Sequence, residues 1–425
     1  MYVMDTKIHK SIEPLRDELV NIVYNYLNSS NVKITQNKRL LIKGAVACFL
    51  LNTFCKVKKG INLCGITLNR NHYSQCPIVN GVKINRKVSY QYTRVVFDAL
   101  VSHSMIVLNK GGVQEYGVLE GKWQAISFTN GFVEIKKPLL RMYDCYESLT
   151  SEESVRKNVV IVRDGKGIDI PYKGNAKTRI DKGILIPYNV LSIEQIVENG
   201  DRIFDVQMYK VYNGNTFQKG ARNYMSGEGI QNLSSDERHK LTINGCQTVI
   251  YDYKAFEPSI AYSMSNEVME GDPYTINIDG YCPVLLRKLC KSFLLVMMNI
   301  KDRKNLKTSL NSLISSEFNV NTLYKEGKIP DKRIDINTIV DKIETKHYLI
   351  KHMFYDNHHT HPSYLGSLIA DYITDYFTQR GVLVLSVFDE FIIQEEYDQE
   401  LKEVMFRAYE TILGQSSNCN VRKEK

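Results

Sequence analysis

Two apolar runs in this chain each break on a carboxylate. The first is Thr248-Val-Ile-Tyr-Asp252-Tyr and the second Val382-Leu-Val-Leu-Ser-Val-Phe-Asp389-Glu390-Phe-Ile-Ile. Both carry the β-branched and aromatic residues of strands, and the second reads as a β-hairpin with two acids at its turn. Charge placed inside a strand pair is expensive unless something compensates it. A divalent cation shared between the two strands would do so. Two carboxylates holding two Mg²⁺ ions, with Mn²⁺ as an alternative, is also what in-line nucleotidyl transfer requires. On their own, two unrelated acids at strand ends, each paired with a lysine or arginine, fit the pattern as well.

The rest of the chain must therefore decide. Its 425 residues, 43% of them hydrophobic, are enough for two or three domains. The divisions expected are residues 1–150, a helical and winged-helix-like region, then 151–247, a connecting region, then 248–425, a core that holds both acid-bearing runs. No run is long and apolar enough for a membrane span, and the N-terminus lacks the apolar core of a signal peptide. The nine cysteines are scattered without a C-x-x-C pair, which predicts reduced thiols, no structural zinc and a cytoplasmic compartment. A formal charge of +8 is compatible with a polyanionic partner, and 27 tyrosines interleaved with Lys and Arg suit stacking on bases and gripping phosphates. An AT-rich coding sequence would produce the same composition.

Near the N-terminus, helices are expected over Ser11–Leu27, Arg39–Lys56 and Val88–Ser104, followed by two short strands around Asn109-Lys110-Gly111-Gly112. Helices followed by a hairpin with a basic tip is the order of a winged helix, with Arg94 and Lys110 as phosphate contacts. Many α+β packing modules share that order. Further on, short strands at Val159–Val162 and Ile168–Ile170 precede a helix expected near Ser192–Glu198. His347, His352, His358, His359 and His361 form a dense cluster with no cysteine beside it, expected to be a solvent-facing or nucleic-acid-facing loop and not a zinc site. The helix expected over Ser363–Arg380 carries Leu365, Ile369, Tyr372, Ile373 and Tyr376 on one face, as though packed beneath the Asp389 strand.

Between the two acid-bearing runs, Arg287, Lys291, Leu295 and Asn299 recur at i, i+4, i+8 and i+12. That spacing is one stripe of a helix, about 6 Å per step. Two cations on the stripe could clasp the phosphates of an incoming nucleotide, with the later positions facing its sugar and base.

Taken together these segments resemble the palm and fingers of family A DNA polymerases and the related single-subunit phage-type RNA polymerases. Asp252-Tyr253 with Glu257 is similar to the first palm motif, D-Y-S-Q-x-E, and Val387-Phe388-Asp389-Glu390 to the third, V-H-D-E. Arg287-x3-Lys291 resembles the fingers motif R-x3-K-x7-Y-G. Gly220-Ala221-Arg222 followed by Ile230-Gln231-Asn232-Leu233 is similar to the T-G-R … L-Q-N segment, Arg238 stands in a similar context, and Gly271-Asp272-Pro273-Tyr274 resembles the G-D-x-H stretch. The resemblance covers about residues 203–400 and extends to a compact subgroup encoded by phages and mobile elements.

It implies an α+β right-hand polymerase fold with a palm β-sheet and helical fingers. It implies Asp252, Asp389 and the Tyr253 carbonyl as metal ligands, with Glu390 as a further acid. Arg287 and Lys291 would hold the triphosphate, and Glu257, Asn299 and Tyr253 would line the nucleotide site. Arg222, Gln231 and Arg238 would contact the primer–template. The partners implied are a DNA template and primer, or an RNA product, and nucleoside triphosphates. The departures are Phe388 in place of the family histidine, and Asn299 with no following glycine in place of the fingers tyrosine. Glu257 matches the residue that blocks a 2′-hydroxyl in DNA polymerases, whereas Asn299 leaves the sugar open. Neither the Y-x-D-T-D of family B nor the Y/F-x-D-D of reverse transcriptases is present, and no acid set for a proofreading exonuclease precedes residue 200. An RNA polymerase or primase on the same scaffold, and a non-catalytic winged-helix replication protein, remain the alternatives.

Overall fold

A computed structural model describes residues 10–58, 60, 63–65, 78–79, 81–83, 88–109, 112–119, 122–129, 132–146, 155–200, 202–225, 230–355 and 361–424. The chain is a mixed helix-and-sheet structure. Helices α1 (Glu13–Ser29), α2 (Gln36–Lys58) and α3 (Tyr90–Ser102) pack around one apolar core, joined by α4 (Lys137–Asp144). α2 is buried without a break from Ala45 to Leu50, as its nearly uniform apolarity predicts. Thr53 and Tyr143 share a buried hydrogen bond of 2.7 Å that ties α2 to α4.

The strands of this region pair differently from expectation. β1 (Leu63–Gly65), β4 (Ile106–Asn109) and β7 (Phe132–Ile135) form one sheet in the order β1-β7-β4. β5 (Gly112–Leu119) pairs with β6 (Lys122–Thr129), and the short β2 (Ile78–Val79) with β3 (Val82–Lys83). The expected hairpin across Asn109–Gly112 is therefore not formed, because β4 takes β7 as its partner. Val133 and Ile135 carry the same inward face as Ile106, so this register buries all three. Arg94 lies on α3, 3.7 Å from Asp98. Lys110 lies outside the described residues.

A second sheet holds β8 (Val160–Val162) parallel to β11 (Met208–Tyr212), which pairs in turn with β12 (Gly220–Met225). Between them runs α5 (Ala176–Ile193), started by a reciprocal cap between Asn175 and Thr178. The helix expected near Ser192–Glu198 is replaced by the end of α5 and by β9 (Val197–Asn199), which pairs with β10 (Arg202–Ile203). Pro187 inside α5 reads locally as a breaker, and burial of Leu185, Tyr188 and Ser192 on one face overrides it.

The largest sheet runs β10-β9-β13-β14-β16-β15, with β13 (Thr242–Ile243), β14 (Cys246–Tyr253), β15 (Leu385–Val387) and β16 (Glu390–Gln394). β17 (Val421–Lys423) pairs with the C-terminal end of β14. The core beneath it passes without interruption from Val159, Tyr188 and Ile243 to Ile250, Leu385 and Ile392. α6 (Phe256–Met264) follows β14, and α10 (Pro362–Gln379) and α11 (Asp398–Leu413) pack on the opposite face of the sheet through Ile260, Ile369, Ile373, Phe377 and Val404. A separate cluster unites α7 (Pro283–Asn299), α8 (Leu306–Glu317) and α9 (Ile336–Lys346) through Leu289, Phe293, Leu310 and Ile339. Among the described residues, no helix is long and apolar enough to cross a membrane.

Candidate active site

β14 pairs with β16 from Thr248↔Gln394 to Asp252↔Glu390, and with β17 from Tyr251↔Lys423 to Tyr253↔Val421. Asp252 thus stands in a cross-strand row between Glu390 on one side and Arg422 on the other. The Tyr253 amide donates to the Asp389 carbonyl at 3.2 Å, which brings the two strand-end acids side by side. The hairpin turn between β15 and β16 is the pair Phe388-Asp389. Phe388 has φ 61°, the left-handed region that glycine normally supplies in two-residue hairpins. The turn leaves the Phe388 ring 46% exposed and puts Asp389 at the floor of a cavity of about 990 Å³.

Burial pushes the Asp389 carboxyl above its ordinary titration range, with Lys291 pulling it back. Among the described residues Asp389 makes no ion pair. Burial also raises Asp252, opposed by Arg422, whose guanidinium lies 3.3 Å from it. Glu390 is raised by burial too, and pairs with Arg238 at 2.7 Å. The Tyr253 ring is core: it stacks on Phe256 at 4.6 Å, and its hydroxyl donates to the Met405 carbonyl. Only its backbone is left for the cavity.

Across the cavity, α7 presents Arg287, Lys291 and Leu295, while Leu286, Leu289, Cys290, Phe293 and Leu294 face the other way into the core. Arg287 and Lys291 lie 5.4 and 5.9 Å from the centroid of the Tyr274 ring. Arg287 also donates to Asp272 at 2.5 Å, and although burial works against its charge, that bond helps hold the Asp272 carboxyl below its usual range. Glu257, in the first turn of α6 just past the left-handed Ala255, lines the cavity beside Arg222, while Asn299 at the end of α7 is not among the lining residues. Glu257 accepts from Arg222 at 3.0 Å and from Asn299 at 3.2 Å.

Arg222 owes its place to a bulge in β12. Val211 pairs with Arg222 and Tyr212 with Gly220, leaving Ala221 extra. Gly220 has φ 79°, the left-handed region that favours glycine, and a Cβ there would also crowd the Val211 carbonyl at 3.2 Å. The Arg222 guanidinium lies 5.5 Å from the Phe388 ring centroid. Gln231 lies beside the site and not in it. Its amide donates to the Asn223 and Ser386 carbonyls at 3.1 and 3.2 Å, and its oxygen accepts from the Met225 amide. It fastens the Arg222 strand to the Asp389 hairpin. Arg238 is spent on Glu390 and on the Leu233 carbonyl.

The histidine cluster is corrected. His347 is fully buried, bonded to the Tyr262 hydroxyl at 3.0 Å and the Pro273 carbonyl at 2.9 Å, and burial lowers it to about 4. His361 caps α10 and reaches the Met298 carbonyl at 2.7 Å. His352 is exposed, and His358 and His359 lie outside the described residues. Two of the five are thus packing groups, because each finds a carbonyl inside the fold. His347 carries a consequence for stability. Its ring is neutral when folded, whereas the unfolded ring takes a proton near pH 6.5. The stabilisation is complete above that pH and is lost as pH falls towards 4, by up to about 1.4 kcal/mol per pH unit. As pH is lowered from 7.5 to 4.5, urea midpoints should fall more steeply for the wild type than for His347→Gln. Parallel slopes would contradict the buried neutral ring.

The sequence pattern does not mark Arg422 or Glu424, and it gives Asp272 no role of its own. Asp272 had a signal, standing within Gly271–Tyr274. Arg422 had none, since a three-residue strand carries no periodicity.

Among the described residues no three His, Cys, Asp or Glu side chains stand close enough to cage a metal. Mg²⁺ takes one or two carboxylates and keeps waters or substrate phosphates as its other ligands. Neighbouring acids with raised titration, one of them without an ion pair, suit that donor set.

No protein-family model matches the chain, and no curated protein does. Among solved structures it is similar to the POL domain of Pol1 from M. smegmatis in complex with DNA primer-template and dNTP. The TM-score is 0.30 and the identity 10%, over 99% of this chain and 66% of that one. The chain thus spans just under two thirds of that neighbour, and a superposition so loose transfers no site.

Proposed function

We propose that this chain is a template-directed nucleotidyltransferase that makes DNA, of family A type and without a proofreading exonuclease. The observation that carries it is one cavity with Asp252 and Asp389 on its sheet side and Arg287 and Lys291 on its helix side. Carboxylates facing cations across a space of nucleotide size suit a triphosphate held between metal and protein charge.

In this reading Asp252, Asp389 and the Tyr253 carbonyl hold two Mg²⁺ ions, or Mn²⁺. When bound, the ions supply activation of the 3′-hydroxyl and stabilisation of the leaving pyrophosphate. Arg287 and Lys291 take the β- and γ-phosphates, Arg287 leaving Asp272 to do so. Glu257, held from two sides, bars a 2′-hydroxyl. Arg222 and the exposed Phe388 meet the primer end, with Glu390 kept in place by Arg238. Gln231 and Arg238 act by positioning. Residues 1–150 add nucleic-acid contacts, Arg94 among them. The second reading, an RNA polymerase or primase, rests on Asn299, a short amide where a ring would crowd the sugar.

Extension of a primed template with dNTPs or rNTPs, with and without Mg²⁺, tests this. Mg²⁺-dependent dNTP incorporation is expected, and Glu257→Ala should raise rNTP use relative to dNTP use by roughly 10-fold or more. Unprimed synthesis from rNTPs would establish the second reading. Salt-sensitive duplex binding with no incorporation under any condition would leave a non-catalytic DNA-binding protein.

A further inference from the structure

We infer that Arg422, on the strand nearest the C-terminus, is a built-in counter-ion of the metal-binding carboxylate Asp252, one that yields to the arriving cation by moving onto Glu424. This rests on the metal-binding role of Asp252 proposed above and adds a competitor to that site.

The argument begins with the register. Arg422, Asp252 and Glu390 are direct cross-strand neighbours on β17, β14 and β16, so their side chains leave the same face of the sheet. Glu390 has its own arginine, Arg238. Asp252 has Arg422, whose Nε and Nη2 lie 3.3 and 3.4 Å from its two oxygens. That two-pronged contact is the form guanidinium groups take on carboxylates. The same guanidinium also touches Glu424, two residues on along its own strand. Arg422 can therefore release Asp252 and keep Glu424 as an anionic partner.

The placement is not left to a loose tail. The Glu424 amide donates to the Ile250 carbonyl at 2.9 Å, and the Lys254 amide to the Asn420 carbonyl at 2.8 Å. Lys423 reaches Asp398 at 2.5 Å, and Asp398 in turn accepts from the Tyr251 hydroxyl at 2.6 Å. Backbone and side-chain bonds thus hold Arg422 over Asp252 from both ends of the strand.

Like-charged acids on neighbouring strands repel, and without a cation between them they would splay apart. Arg422 supplies a positive charge to Asp252 before any metal arrives, so the site is kept assembled. Occupation by a cation then requires Arg422 to withdraw, which weakens cation binding by the strength of the pair it breaks. That pair is half exposed on the arginine side, so the penalty is small.

Mn²⁺ binding to the full chain, read by electron paramagnetic resonance without nucleotide or DNA, tests this. Arg422→Gln should tighten Mn²⁺ binding about 2- to 5-fold, and Arg422→Lys, which keeps the charge but loses the fork, should fall between it and the wild type. Glu424→Gln should weaken binding in the wild-type background and have a smaller effect once Arg422 is glutamine. If Asp252→Asn abolishes binding but Arg422→Gln leaves the affinity unchanged or lower, the counter-ion role is overturned and the metal site stands. If Asp252→Asn leaves Mn²⁺ binding intact, both fall.

Discussion

Asp389→Asn is expected to abolish metal-dependent nucleotide incorporation, by roughly 10³-fold or more, while the protein melts no lower than the wild type. The two halves of that result have one cause. Asp389 lines the cavity with no arginine to pair it among the described residues, and burial already pushes its carboxyl towards the neutral form. In the folded chain the ionised acid is therefore held under strain at neutral pH, and the amide removes the charge without changing the shape. Asp252→Asn should lose activity to the same extent, but it also strips Arg422 of a partner, so its melting temperature need not rise. Single-turnover incorporation and thermal melting on the same samples decide the matter. If activity and stability fall together, Asp389 is a structural acid and the proposed chemistry has no basis there.

The second large effect lies beneath the site. Lys210 is completely buried, with its ammonium 2.6 Å from the Asp371 carboxylate. Asp371 also accepts from Asn223, the residue after Arg222, and Lys177 reaches both Asp181 at 2.9 Å and Asp371 at 3.6 Å. The Tyr212 hydroxyl completes the group by donating to Asp181 at 2.6 Å. A buried charge stripped of its partner has nowhere to find water. Lys210→Met and Asp371→Leu should therefore each cost about 3–5 kcal/mol. Combining them removes both charges, so the double variant should recover much of that loss. Urea midpoints measure this, and single variants within about 1 kcal/mol of the wild type would show that the group is not energetically closed.

The site was legible where its chemistry is local. Asp252 and Asp389 end apolar strands, and the stripe Arg287, Lys291, Leu295 and Asn299 is a helix period that burial of the opposite face upholds. Pairings across the chain were not legible. A strand's partner is chosen by shape and burial of the whole sheet, so β4 taking β7 and β17 taking β14 had no local sign. Gln231 has the residue type of a nucleic-acid contact. Only the nearby Asn223 and Ser386 carbonyls reveal it as a clamp. His347 and His361 read as polar loop residues because a lone carbonyl acceptor, all that a buried imidazole needs, leaves no trace in sequence.

The strand β14 has consequences for how the chain is made. Its early neighbour β13 covers only Cys246 and Gln247, whereas β16 and β17 cover the end that bears Asp252. During synthesis that apolar strand leaves the ribosome long before either late partner exists, and it stays an open edge until residue 423 has been added. Such edges invite pairing with the wrong chain. Non-local closure of this kind is also slow. Production at low temperature or with a chaperone holding the nascent chain should therefore raise the yield of folded protein more than any change at the cavity.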